Sequence, residues 1–116
     1  MSKTLEMDWN NIEETLLENE TVFIDIRNPN DSLNDEFHPA FNKVAAENTD
    51  VKFARINAVL EPDLVKALGL NSTPTLMVFK KRVDILQKTD ELEEQTLQDL
   101  VEVVRFLNID EMVFTN

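Results

Sequence analysis

GLNSTPTLMVF, residues 69–79, sets a glycine and then a proline directly in front of a continuous apolar run. Proline removes a ladder donor, so a chain that enters a buried strand through Thr73-Pro74 does so for a structural or functional reason. Upstream, EPDLVKALGL (61–70) carries Pro62 in a first helical turn and Leu64, Val65 and Leu68 on one face, with Gly69 placed to close the helix in a left-handed conformation. Downstream, TLMVFK (75–80) reads as a strand. RVDILQK (82–88) follows after a turn too short for a crossover, so the two strands pair antiparallel.

The same reading extends toward both termini. KTLEM (3–7) alternates like a short edge strand, and DWNNIEETLLE (8–18) reads as an amphipathic helix with Asp8 as N-cap and Trp9, Ile12, Leu16 and Leu17 packed inward. TVFIDIR (21–27) is β-branched and apolar throughout, as in a strand covered on both faces, with Asp25 its one interior charge. NPNDSLNDE (28–36) is turn and cap chemistry. It leads to a helix in which Phe37, Phe41, Val44 and Ala45 share a face and Pro39 predicts a kink or a start in two pieces. VKFARINAV (51–59) is a second central strand, and Leu97, Leu100, Val101, Val104 and Leu107 stripe a last helix over about 93–108. The order is βαβαβαββα, an α/β domain over 1–108. The tail 109–116, with Met112, Val113 and Phe114, either packs back on that domain or presents an apolar motif to another chain.

Composition excludes whole classes of function. With 116 residues and 42% hydrophobic content the chain builds one core. A formal net charge of −12, from 23 acidic and 11 basic residues, repels phosphate backbones and anionic lipid, which argues against nucleic acid and membrane partners. No run approaches the roughly 20 apolar residues of a membrane span, and the first residues lack a signal-peptide core, so a cytoplasmic protein is expected. The absence of cysteine excludes disulfides, thiolate nucleophiles and dithiol exchange. A lone histidine, His38, makes a histidine-based triad or metal cluster untenable and reads as a solvent-facing helix residue. With Gly69 the one glycine, phosphate-cradling glycine loops are excluded too, and no register of 28–36 meets the EF-hand pattern. No cofactor or dedicated metal site is expected.

The element order, together with VFIDI (22–26), Pro39 and LGLNSTPTLMVF (68–79), resembles the thioredoxin family over nearly the whole chain. The resemblance implies a central mixed sheet flanked by helices. Counting back from Pro39 sets DSLN, Asp31 to Asn34, where that family carries its Cys-x-x-Cys, while Arg27 and Asn30 replace the aromatic residues around it. Disulfide exchange is thereby lost and the scaffold kept. The resemblance further implies that Pro74 is cis, either only shaping the turn or exposing the Thr73 backbone to pair with an extended peptide like an added strand. Asp25 matches the family's buried acid and Arg55 its basic neighbour. Burial disfavours an ionised carboxylate unless a cation stands close, and strand parity lets Arg55 face Asp25, so a structural ion pair is expected.

The function that follows is a redox-inactive, chaperone-like or adaptor module, not an enzyme. It would bind a protein or peptide in a groove formed by Asp31, Ser32, Leu33, Asn34, Ser72, Thr73 and Pro74. An alternative is a glutathione-binding transferase, with Thr73-Pro74 holding the glutathione backbone, Ser32 activating its sulfur and Arg27 receiving a carboxylate. A homodimer or assembly subunit joined through a sheet edge or the tail is compatible with the binding reading.

Overall fold

The computed structural model describes residues 4–30, 37–89 and 93–108. Among them the chain forms β1 (Thr4–Glu6), α1 (Ile12–Glu18), β2 (Thr21–Arg27), α2 (Phe37–Glu47), β3 (Lys52–Asn57), α3 (Pro62–Ala67), β4 (Thr75–Lys80), β5 (Val83–Lys88) and α4 (Glu94–Phe106). The five strands make one sheet in the order β1-β3-β2-β4-β5. β1, β3 and β2 run parallel, whereas β4 is antiparallel to β2 and to β5. This is the mixed sheet flanked by helices that the family resemblance implies.

Alternation divides the core between the two sheet faces. Phe23, Phe53, Leu76 and Val78 point toward α2 and α4 and pack against Phe37, Phe41, Val44, Leu97, Val101 and Val104. Val22, Ile24, Ile26, Ala54, Ile56 and Met77 point the other way, toward Ile12 of α1 and Leu64 of α3. β2 lies in the middle of the sheet and is buried from Thr21 to Ile26, as its unbroken apolar run requires. Gly69 closes α3 at φ +79°, with its amide bonded to Lys66 O, and the Thr73-Pro74 peptide bond is cis.

One local expectation is corrected. α1 begins at Ile12, and the N-cap position falls on Asn11 instead of Asp8. The Asp8 carboxylate accepts the backbone amides of Asn10 (2.8 Å) and Asn11 (3.2 Å), so it shapes the turn ahead of the helix. Trp9 therefore sits in that turn and is exposed, as is Leu17, because helical spacing counted from Trp9 does not apply there. Among the described residues α2 runs through Pro39 as one helix, Phe37–Glu47, and a first piece ahead of it would fall on residues 31–36, which lie outside the described residues.

Helix α4 is fastened to the sheet at its C-terminus by a buried lysine. Lys80, at the end of β4 and 2% exposed, donates from Nζ to Val104 O and to Arg105 O (3.0 Å). A cation on the last carbonyls of a helix satisfies orphan acceptors and complements the helix dipole. Arg105 forks onto Asp50 (Nε–Oδ2 2.8 Å, Nη2–Oδ1 3.0 Å) and donates to Asn48 Oδ1 (2.8 Å), binding α4 to the loop before β3. The β4–β5 turn places Lys81 (φ 51°) and Arg82 (φ 68°) in the left-handed region that such hairpins demand and that Asn-Gly fills with least strain. Edge strand β5 carries an irregularity opposite Val78/Phe79 and ends in Lys88, features that guard an open edge against pairing.

These contacts set three outcomes for denaturant unfolding. Arg82→Gly relieves one left-handed side chain and raises stability by about 0.5–1 kcal/mol. Lys80→Met keeps the buried stem but strands two carbonyls, and lowers stability by about 1–3 kcal/mol. The Arg105 guanidinium holds the Asp50 carboxyl below its usual range. The stability it contributes is present above about pH 4 and is lost as pH falls through the folded value, so the advantage of wild type over Asp50→Asn, below about 1 kcal/mol for so exposed a pair, vanishes in acid.

Candidate functional site

Parallel pairing of β2 with β3 sets Asp25 directly beside Arg55, on the face covered by α2. Arg27, two residues beyond Asp25, points to the same face. The Asp25 carboxylate, 1% exposed, accepts Arg27 Nε at 3.1 Å (Oδ2) and 3.3 Å (Oδ1), and Arg55 Nε at 3.3 Å (Oδ2). Both guanidiniums are nearly buried, at 13% and 11% side-chain exposure. Each lies over an aromatic ring of α2, Arg27 on Phe37 and Arg55 on Phe41, both at 5.5 Å from the ring centroid. Arg55 Nη2 donates to Asn42 Oδ1 (3.4 Å), which also accepts the Thr4 hydroxyl (3.0 Å). The cluster thus joins β1, β2, β3 and α2.

Arg27 is the partner that sequence reasoning missed. Its position at i+2 from Asp25 on one strand was the available signal, since such residues share a face.

A cleft of about 240 Å³ opens on this cluster at the C-terminal ends of the three parallel strands. Glu6, Arg27, Pro29, His38, Arg55 and Asn57 line it. The carboxyl ends of parallel strands are where open α/β sheets bind ligands. His38 is half-buried there, not turned to solvent as its place in a helix suggested, because the start of α2 abuts the ends of the parallel strands.

Antiparallel pairing of Ile26 with Thr75 brings Ser72, Thr73 and Pro74 to the same end of the sheet. Ser72 is exposed, Thr73 and Pro74 are half-buried, and the Thr75 hydroxyl donates to Ser72 O at 2.8 Å, fixing the approach to β4. Asp31, Ser32, Leu33 and Asn34, the other residues of the expected groove, lie outside the described residues, as does the tail 109–116. Just past β3, Val59 and Leu60 are exposed at 46% and 71%. Asn57 Oδ1 accepts both their amides (2.9 and 3.2 Å), an Asx turn that holds an apolar pair outward. Sequence reasoning read Val59 as the end of a strand and overlooked this turn. The Asn57 side chain was the signal.

Chemically the arrangement holds charge in place, with no nucleophile and base in contact among the described residues. Asp25→Asn strands two nearly buried guanidiniums and is expected to cost about 3–5 kcal/mol of unfolding free energy, measured by denaturant titration.

Residues 3–105 match the Thioredoxin family model. A Streptomyces coelicolor protein that bears a thioredoxin name is 31% identical over 112 residues, covering 97% of this chain and 84% of that protein. Among solved structures, an Entamoeba histolytica thioredoxin cysteine-to-serine mutant superposes with a TM-score of 0.77 at 16% identity, over 86% of this chain and 98% of its own. A thioredoxin mutant from Halobacterium salinarum gives 0.74 at 21% identity, over 93% and 97%. Human ERp44 gives 0.79 at 16% identity, over 99% of this chain but 34% of its own. With this sheet, these helices and that family match, the chain belongs to the thioredoxin family.

Proposed function

We propose that this thioredoxin-family chain is a redox-inactive binding module that holds an extended protein segment across the end of the sheet formed by Ser72, Thr73, Pro74 and the 28–34 loop. The observation that carries this reading is the exposed pair Val59 and Leu60, held outward by Asn57 at that same sheet end. Adjacent apolar side chains exposed beside a concave polar site favour contact with a partner.

Two further facts support it. Dithiol exchange requires thiols, and the chain has no cysteine. The buried acid at Asp25 is engaged by two arginines, which supports a structural role for it in place of proton transfer. In this reading Asp31, Ser32, Leu33 and Asn34 form the rim facing Ser72 to Pro74, and the Thr73 backbone pairs with the bound segment. The net charge of −12 selects neutral or basic segments.

The test places a photo-crosslinking amino acid at Leu60 and compares wild type with Thr73→Arg. The outcome expected is a defined set of crosslinked polypeptides that falls by at least about tenfold in the variant, equivalent to 1.4 kcal/mol, at unchanged thermal unfolding. Equal crosslinking in both would remove the groove from the binding surface.

A further inference from the structure

We propose that the cleft above Asp25 is a carboxylate pocket that receives the free C-terminus of the bound polypeptide, with Arg55 as the residue that takes the carboxylate. This inference rests on the binding reading above and names the part of the segment that the site recognises.

Arg55 lines the cleft. Its Nε is committed to Asp25 and its Nη2 to Asn42, while Nη1 donates to no described residue. Those bonds and the Phe41 ring beneath fix the guanidinium plane. A planar donor fork held in one orientation fits a carboxylate better than a flexible ammonium does. The site is therefore organised before any ligand arrives, which lowers the ordering cost of binding.

Size and charge narrow the ligand further. About 240 Å³ accommodates one terminal residue and little more. Pro29 and Ile56 add apolar wall, and Asn57 adds amide hydrogen-bonding capacity at the rim. Glu6, exposed at the end of β1, also lines the cleft. Its charge and the acidic surface around it disfavour a polyanion such as a nucleotide. They tolerate a single carboxylate followed by neutral or basic residues.

The experiment uses wild-type protein on immobilised hexapeptides of neutral and basic composition, tethered by their N-termini and made in two forms, with a free C-terminal carboxylate and with a C-terminal amide. Peptides bound as acids are expected to lose at least about tenfold in affinity as amides. Arg55→Lys, which keeps the charge and its attraction to Asp25 but not the fork, should weaken the acids and leave the amides unchanged. Because the acid and amide comparison needs wild type alone, poor folding of the variant does not spoil the test. Equal binding of both forms would overturn the carboxylate pocket and leave the polypeptide-binding reading standing. Binding of neither form would overturn both. Acetate that competes for the cleft as strongly as the peptides would assign the pocket to small free carboxylates and overturn its role as a terminus reader.

Discussion

A carboxylate in the middle strand of a sheet must be met by cations, because an isolated buried charge costs several kcal/mol. Asp25 is that carboxylate, and Arg27 and Arg55 meet it. The interaction is weak evidence for net stability, since a well-packed apolar cluster of equal volume does as well. What it supplies is register. A one-residue slip of β2 against β3 would turn Asp25 away from Arg55 and toward the aliphatic face around Ile24 and Ile56. The bonds from Arg55 and Thr4 to Asn42 extend the constraint to α2, so one charge cluster aligns four elements.

The two faces of the sheet are consequently unlike. The buried hydrophobic side chains on the face toward α1 and α3 are non-aromatic apart from Phe79. The face toward α2 and α4 has an aromatic centre, with Phe53 stacked on Phe23 at 5.4 Å and edge-on to Phe41 at 5.2 Å. Buried charge lies at either end of that centre. Lys80 holds the C-terminus of α4 at one end, and the Asp25 cluster holds α2 at the other. The first end only fastens a helix. The second opens to a cleft, and so one device that sets the register of the fold also presents a fixed guanidinium to that cleft.

Much of this was legible in the residues. Pro62, Gly69 and Pro74 bracket α3 and the entry to β4 through backbone restrictions that hold in any context, and the unbroken apolar run around Asp25 requires a strand buried on both sides. The α2 face of Phe37, Phe41, Val44 and Ala45 followed from spacing alone. Spacing failed where local side-chain hydrogen bonds displace an element boundary. Asp8 binds two amides and delays α1 to Ile12, which leaves Trp9 in a turn. Asn57 does the same beyond β3 and turns Val59 and Leu60 outward. Asp and Asn compete with secondary structure in this way, and periodicity does not register it. Arg27 was visible but assigned to a distant ligand, although an anion that it meets lay two residues away.

This thioredoxin-family chain holds no cysteine, and its buried acid is met by two counter-charges. A double-mutant cycle over Asp25→Asn and Arg55→Gln, read by denaturant unfolding, tests that central claim most directly. A coupling energy above about 1 kcal/mol is the predicted result, as for residues that share one buried ion cluster. Additive losses, with coupling near zero, would mean that Asp25 and Arg55 stand side by side without holding each other, and would contradict the account.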